Sequence, residues 1–89
     1  MKYQLIFSKN ADNEIDEYIK SGNKKLMTKL YSLFEELVAH PKTGTGKPEQ
    51  LKYEQTGKWS RRISQEHRLV YRIDDINKVV NILQLKGHY

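Results

Sequence analysis

Three side chains in this sequence have the chemistry to move protons around a phosphodiester: Glu49, Arg68 and His88. A carboxylate takes a proton, an imidazole gives one near neutral pH, and a guanidinium neutralises charge building on phosphate oxygens. RNA carries its own nucleophile in the 2′-OH, so metal-free cleavage of RNA needs only those three roles. Each residue also has an ordinary alternative. Glu49 reads as a solvated loop carboxylate, Arg68 as an ion-pair donor on a strand surface, and His88 as a polar tail. The histidines His40, His67 and His88 are scattered and show no metal-ligand spacing, so neither a metal nor a cofactor is expected. His67, beside Gln65-Glu66, and His40, at a helix end, read as structural.

Placing the three requires the elements that carry them. YQLIFS (3–8) alternates as a first strand, and Ser8 is positioned to cap the helix that follows. Ala11, Ile15, Tyr18 and Ile19 recur at helical spacing, with acids toward the positive helix N-terminus. Ser21-Gly22-Asn23 interrupts this helix. A longer one follows, with Leu26, Leu30, Leu33, Phe34, Leu37 and Val38 on one stripe, ending near His40 because Pro41 disfavours helical geometry before it. PKTGTGKPEQ (41–50) is the long loop, and it lacks the spacing of a nucleotide-binding P-loop. LKYEQT, KWSRRIS, HRLVYRI and KVVNILQLK read as strands, joined by short polar gaps in an antiparallel meander.

The expected fold is therefore α+β, with two N-terminal helices packed on one face of a mainly antiparallel twisted sheet. Alternation puts Leu69, Tyr71 and Ile73 toward the helices and Arg68 and Arg72 on the open face. If Leu83 and Leu85 also face the helices, Ile82, Gln84, Lys86 and His88 emerge on the side of Arg68. Trp59 is as well suited to packing in the sheet as to stacking on a base.

Eighty-nine residues are expected to form one domain, spanning 1–89. A domain of this size is marginal without support, and with no cysteine that support is not a disulfide; a partner or self-association is expected instead. Mean hydropathy is −0.82. Leu, Ile, Val and Phe still make up about 25% of the chain, above the roughly 20% below which disorder becomes the default. No apolar run approaches membrane-spanning length and the first ten residues do not resemble a signal peptide, so a cytoplasmic location is expected.

Charge is divided unevenly. Residues 1–40 hold six lysines and six acids, whereas 41–89 hold six lysines, four arginines and five acids, and so carry the whole net +5. Arg61, Arg62, Arg68 and Arg72 fall within twelve residues. A basic surface on one half of a domain suits a polyanion, most often nucleic acid. By residue types alone, RNA binding is the stronger reading and RNA cleavage the second.

A resemblance reverses that order. Gly44 to Tyr71 reads GTGKPEQLKYEQTGKWSRRISQEHRLVY, and the chain closes in KGHY. The islands GxGKPE-x-LK, G-x-W-S-R-R-I, EHRLVY and a closing His-Tyr, in this order, resemble the YoeB/Txe family of toxins, in the RelE superfamily of type II toxin–antitoxin systems. The resemblance covers essentially the whole chain. It implies a microbial-RNase-like, RelE-type fold and a ribosome-dependent endoribonuclease that cuts mRNA in the ribosomal A site and so inhibits translation. It also implies a YefM-type antitoxin, the bacterial ribosome and mRNA as partners, and a tendency to form homodimers.

On this chain the resemblance places the general base at Glu49, the phosphate-stabilising arginine at Arg68 and the general acid at His88. Lys52 and Arg62 would support phosphate or ribosomal RNA, and Tyr89 would position the substrate base. The alternative is a non-catalytic module that binds RNA, the ribosome or an antitoxin. Two positions depart from the family pattern: Gln50 stands where proline is frequent, and Tyr18-Ile19-Lys20 where members often carry a tryptophan.

Overall fold

The computed structural model describes residues 2–87. Strand β1 (Gln4–Phe7) leads into helices α1 (Lys9–Ser21) and α2 (Lys24–Ala39). After a long loop come β2 (Glu49–Gln50), a 3₁₀ turn (Tyr53–Gln55), β3 (Trp59–Arg62), β4 (Arg68–Asp74) and β5 (Val79–Gly87). The sheet order is β1-β5-β4-β3-β2. β3 to β5 form the expected antiparallel meander, β2 pairs antiparallel with β3 from within the segment expected to be loop, and β1 joins β5 in parallel, making the sheet mixed.

The helix boundaries follow from their caps. Ser8 accepts from the amide of Ala11, and Asn23 accepts from that of Leu26. Gly22 ends α1 in the left-handed region at φ 71°, where a side chain would be disfavoured. Both helices lie on one sheet face. Ala11 and Tyr18 of α1 and Leu30, Leu33, Phe34 and Leu37 of α2 meet Ile63, Leu69, Tyr71, Val80, Ile82 and Leu85 in one core. Each fully buried leucine contributes about 1.5–3 kcal/mol by leaving water. Ile19, expected on this stripe, is instead 54% exposed, because it falls outside the inward face set by Ala11 and Tyr18.

The structure departs from the expected strands in two places. LKYEQT is not a strand: after two paired residues the chain turns through the 3₁₀ segment, with Tyr53 at φ 59° and Gly57 at φ 91°. Glu49 consequently sits on a strand rather than in a loop, and Gln50 pairs with Trp59. The second departure is in β5. Its register against β4 runs Tyr71↔Ile82, Val70↔Gln84, Arg68↔Gly87, so β5 carries extra residues that bulge from the ladder. Alternation therefore breaks. Ile82, expected on the open face, is in the core together with Leu85, and Leu83 is left out of it.

That bulge has a local cause. β1 ends at Phe7, paired with Ile82, so beyond this point β5 has no strand on that side. Helix α1 takes the place of one. Ser8 Oγ donates to the carbonyl of Leu83 (2.9 Å), the amide of Leu85 donates to Glu14 (2.6 Å), and the Tyr18 hydroxyl donates to the carbonyl of Leu85 (2.5 Å). Edge groups that would otherwise be buried unpaired are thereby satisfied.

Candidate active site

The side chains that meet on the open sheet face come from three neighbouring strands. Across β2, β3 and β4, Glu49 is opposite Ser60 and Ser60 is opposite Val70. One row along, Arg62 is opposite Arg68, and Arg68 is opposite Gly87. Ser60 and Val70 are fully buried and form the floor of the face. Above them Arg68 Nη1 lies 2.9 Å from Glu49 Oε1 and 3.4 Å from Ser60 Oγ.

Arg68 is half-buried, its side chain 19% exposed, whereas the Glu49 side chain is 56% exposed. The carboxylate is thus reachable from solvent while the cation is held against the sheet. Arg62 is exposed directly across from Arg68, and Arg72 is exposed further along β4. Like charges facing each other across a strand pair are destabilising. One carboxylate among three guanidiniums leaves the face strongly electropositive, which suits a phosphate-bearing ligand.

Each expected site residue can now be located. Glu49 and Arg68 come together as an ion pair, and Arg62 is exposed at the register position opposite Arg68. Lys52 is exposed just before the 3₁₀ turn, beyond the end of β2. His88 and Tyr89 lie outside the described residues. β5 ends on Gly87 opposite Arg68, one residue before His88 in the sequence. Among the described residues no group of three or more His, Cys, Asp or Glu side chains could hold a metal ion. His40 caps α2, and His67 closes the β3–β4 turn, its carbonyl accepting from Ile63 (3.0 Å) and Ser64 (3.2 Å).

Arg61 does not belong to the basic surface. It points to the helix side and is fully buried. Its guanidinium has five N–H groups, and they serve five acceptors. Nη2 reaches the carbonyls of His40 and Thr43 (both 2.6 Å), Nη1 reaches Thr45 and Glu36 (both 3.4 Å), and Nε reaches the Tyr71 hydroxyl (3.1 Å). Tyr71 in turn donates to the carbonyl of Pro41 (2.8 Å). Burial raises the Tyr71 pKa, keeping this hydroxyl protonated. Glu36 accepts from the Thr45 amide, which is the main reason its pKa is lowered. The loop from His40 to Thr45 is therefore fastened to the underside of the sheet, and Arg62 N bonds Gly46 O (2.7 Å) where the loop returns toward Glu49.

Ser60 has no role on sequence grounds alone, and composition counts Arg61 with the basic surface. Their alternation in WSRRI carries the signal: Ser60 and Arg62 share one face, Trp59, Arg61 and Ile63 the other. Trp59 follows this rule and packs against the core.

The architecture and the sequence both have known relatives. The family model described as the YoeB-like toxin of bacterial type II toxin–antitoxin systems matches residues 7–89. Toxin YoeB of Synechocystis is 40% identical over 72 residues, covering 81% of each chain. The YoeB dimer from Staphylococcus aureus superposes with a TM-score of 0.83 at 37% identity over 100% of both chains. The YoeB–YefM heterotetramer of that organism gives a TM-score of 0.80, again at 37% identity and full coverage.

Fold and family match together define a toxin of a type II toxin–antitoxin system. The chain belongs to the YoeB-like toxin family. No helix among the described residues is long and apolar enough to cross a membrane.

Proposed function

We propose that this toxin is a ribosome-dependent endoribonuclease that cuts mRNA in the ribosomal A site and so arrests translation. The observation that carries the reading is the Glu49–Arg68 pair, 2.9 Å apart on an electropositive face. Glu49 takes the proton from the 2′-OH as this oxygen attacks the adjacent phosphorus. Arg68 leaves the carboxylate for the phosphate and stabilises the charge on its equatorial oxygens. His88 gives its proton to the departing 5′-oxygen. The products are a 2′,3′-cyclic phosphate and a 5′-hydroxyl, so no water or metal enters this step. Each proton transfer contributes roughly 10²–10⁴-fold. Lys52 and Arg62 bind phosphate or ribosomal RNA, and Tyr89 positions the substrate base.

The partners follow from the relatives. A YefM-type antitoxin neutralises the protein, since the S. aureus relative forms a YoeB–YefM complex, and homodimers form as in the S. aureus YoeB dimer. Its place of action, the ribosome, puts it in the cytoplasm.

The test uses purified translating ribosomes on a defined message, with wild type or His88→Ala, and primer extension to map new 5′ ends. Cuts within the A-site codon by wild type alone, with products ending in 2′,3′-cyclic phosphate, support both the enzyme and the acid. Cuts by both proteins move the acid role to another residue. Ribosome binding without cuts makes the protein a binding module and overturns the proposal.

A further inference from the structure

Tyr53 occupies a backbone conformation that a tyrosine does not favour and receives no packing in return. Its φ is 59°, in the left-handed region, and it is 90% exposed. For a bulky residue this conformation is a strained outlier. Among the described residues its ring takes part in no hydrogen bond, ring stacking or cation contact.

The turn itself is held without the ring. Thr56 donates to the Tyr53 carbonyl from both its amide (3.1 Å) and its hydroxyl (2.6 Å). Gln55 N bonds Lys52 O (3.1 Å), Lys58 N bonds Gln55 O (3.0 Å), and Leu51 N bonds Lys58 O (2.9 Å). Strain fixed by a rigid frame and spent on an exposed aromatic calls for a ligand to that aromatic.

Position and charge say which ligand. The turn connects β2 to β3 at the free edge of the sheet, so Tyr53 follows closely after Glu49 in the chain. Lys52 precedes it, and Lys58 closes the turn with Nζ on Gln55 Oε1 (2.9 Å). Arg72 lies against Gly57, where an added Cβ would come 3.2 Å from Nη1. An exposed aromatic ring on a turn that carries Lys52 and Lys58 and meets Arg72 at Gly57 suits a single nucleic-acid strand: the cations take phosphates and the ring takes the face of an unstacked base. Glu54 is the one acid in the turn, against Lys52 and Lys58, so the flanking surface is charged and net positive rather than the apolar surface a protein partner would cover.

We propose that Tyr53 is a nucleobase-stacking platform on the turn that follows the Glu49 strand. The proposal rests on the ribonuclease reading and extends it to a residue that reading does not use. The base belongs either to the message flanking the cut or to ribosomal RNA lining the A site.

The test compares wild type with Tyr53→Trp, Tyr53→Phe and Tyr53→Asn on translating ribosomes, and reads cleavage, ribosome affinity by sedimentation, and Tm. Trp and Phe keep the ring and should retain activity. Asn tolerates the left-handed region, so it should raise Tm while lowering kcat/KM by about five- to a hundred-fold, the cost of a lost base stack. A more stable protein that cuts less separates a ligand role from a structural one. An abasic nucleotide in the message that lowers wild type to the level of Tyr53→Asn, without affecting that variant further, assigns the base to mRNA. Weaker binding by Tyr53→Asn to ribosomes with an empty A site assigns it to ribosomal RNA.

Equal cleavage and equal ribosome affinity for Tyr53→Asn and wild type would overturn the stacking role. So would a loss of antitoxin binding alone, which would make the ring a protein contact. If wild type binds ribosomes but does not cut, the ribonuclease reading fails, and the affinity comparison still decides the role of Tyr53. If wild type does not bind ribosomes, both fail.

Discussion

Glu49 and Arg68 meet at 2.9 Å across β3, a strand to which neither belongs. The chain between them is spent on one 3₁₀ turn, one strand and one tight turn. The pair joins a largely exposed carboxylate to a shielded guanidinium, so its stability contribution is small, about 0.2–1 kcal/mol. Glu49→Gln should therefore leave Tm nearly unchanged while lowering cleavage by roughly 10²–10⁴-fold. Thermal unfolding run beside the ribosome assay checks this, and a large fall in Tm would make Glu49 structural.

Arg61 should behave in the opposite way. Arg61→Ala deprives the carbonyls of His40, Thr43 and Thr45 of a buried donor and empties a large space under the loop. Breaking a buried charged network of this kind costs about 3–5 kcal/mol. Urea unfolding should show that loss, and Arg61→Lys should not recover it, because one ammonium cannot serve acceptors spread around a planar fork. An Arg61→Ala variant as stable as wild type would mean that the loop is held by other contacts.

Gly46 reports on how closely that loop approaches the site strand. It has φ 86°, and a Cβ there would come 2.8 Å from the carbonyl oxygen of Arg62 and 3.3 Å from the Cβ of Arg61. Neither obstacle is a flexible side-chain end. Gly46→Ala should destabilise the protein by more than about 1 kcal/mol and lower cleavage as Arg62 is displaced. Chemical denaturation of purified protein measures the first effect, and a neutral outcome would place the loop further from β3.

Tyr18 makes stability sensitive to alkali. Burial, then the charges of Glu14 and Glu17, push its pKa from the ordinary value of 10.0 up to about 12. The folded protein holds this proton more tightly than the unfolded chain. The resulting stability is fully present below pH 10 and is lost as pH rises toward 12. Tyr18→Phe keeps the ring but loses the bond to Leu85, so it should be less stable at neutral pH and lose less on going to alkali. Tm followed from about pH 8 to about pH 11.5, a range spanning the onset of this titration, decides it. Parallel curves for the two proteins would remove Tyr18 as the cause.

The helices and most of the meander were legible because their determinants are local. Ser8 and Asn23 cap, Gly22 terminates, Pro41 stops α2, and leucines at helical spacing define the buried stripe. The face carrying Arg68 and Arg72 followed from alternation alone, since β4 has one apolar face and one charged face. The Tyr53 turn was not legible. LKYEQT has the composition of a strand, and its fate depends on backbone bonds to Lys58 and on Gly57 beyond it. β5 misled for another reason. Val79 to Leu85 is apolar on both sides of the alternation, so only the bulge required by α1 along its edge selects Ile82 and Leu85 as inward residues.

The sequence by itself determined the element types, the uneven charge and the family, because caps, periodicity and motif order are properties of neighbouring residues. Tertiary structure alone decided which cations are free. Arg61 and Arg62 are adjacent and chemically identical, yet one is buried with all its donors satisfied and the other stands exposed opposite Arg68. Strand alternation sends consecutive side chains to opposite faces, and only the loop folded beneath the sheet supplies the carbonyls that make one face habitable for a charge.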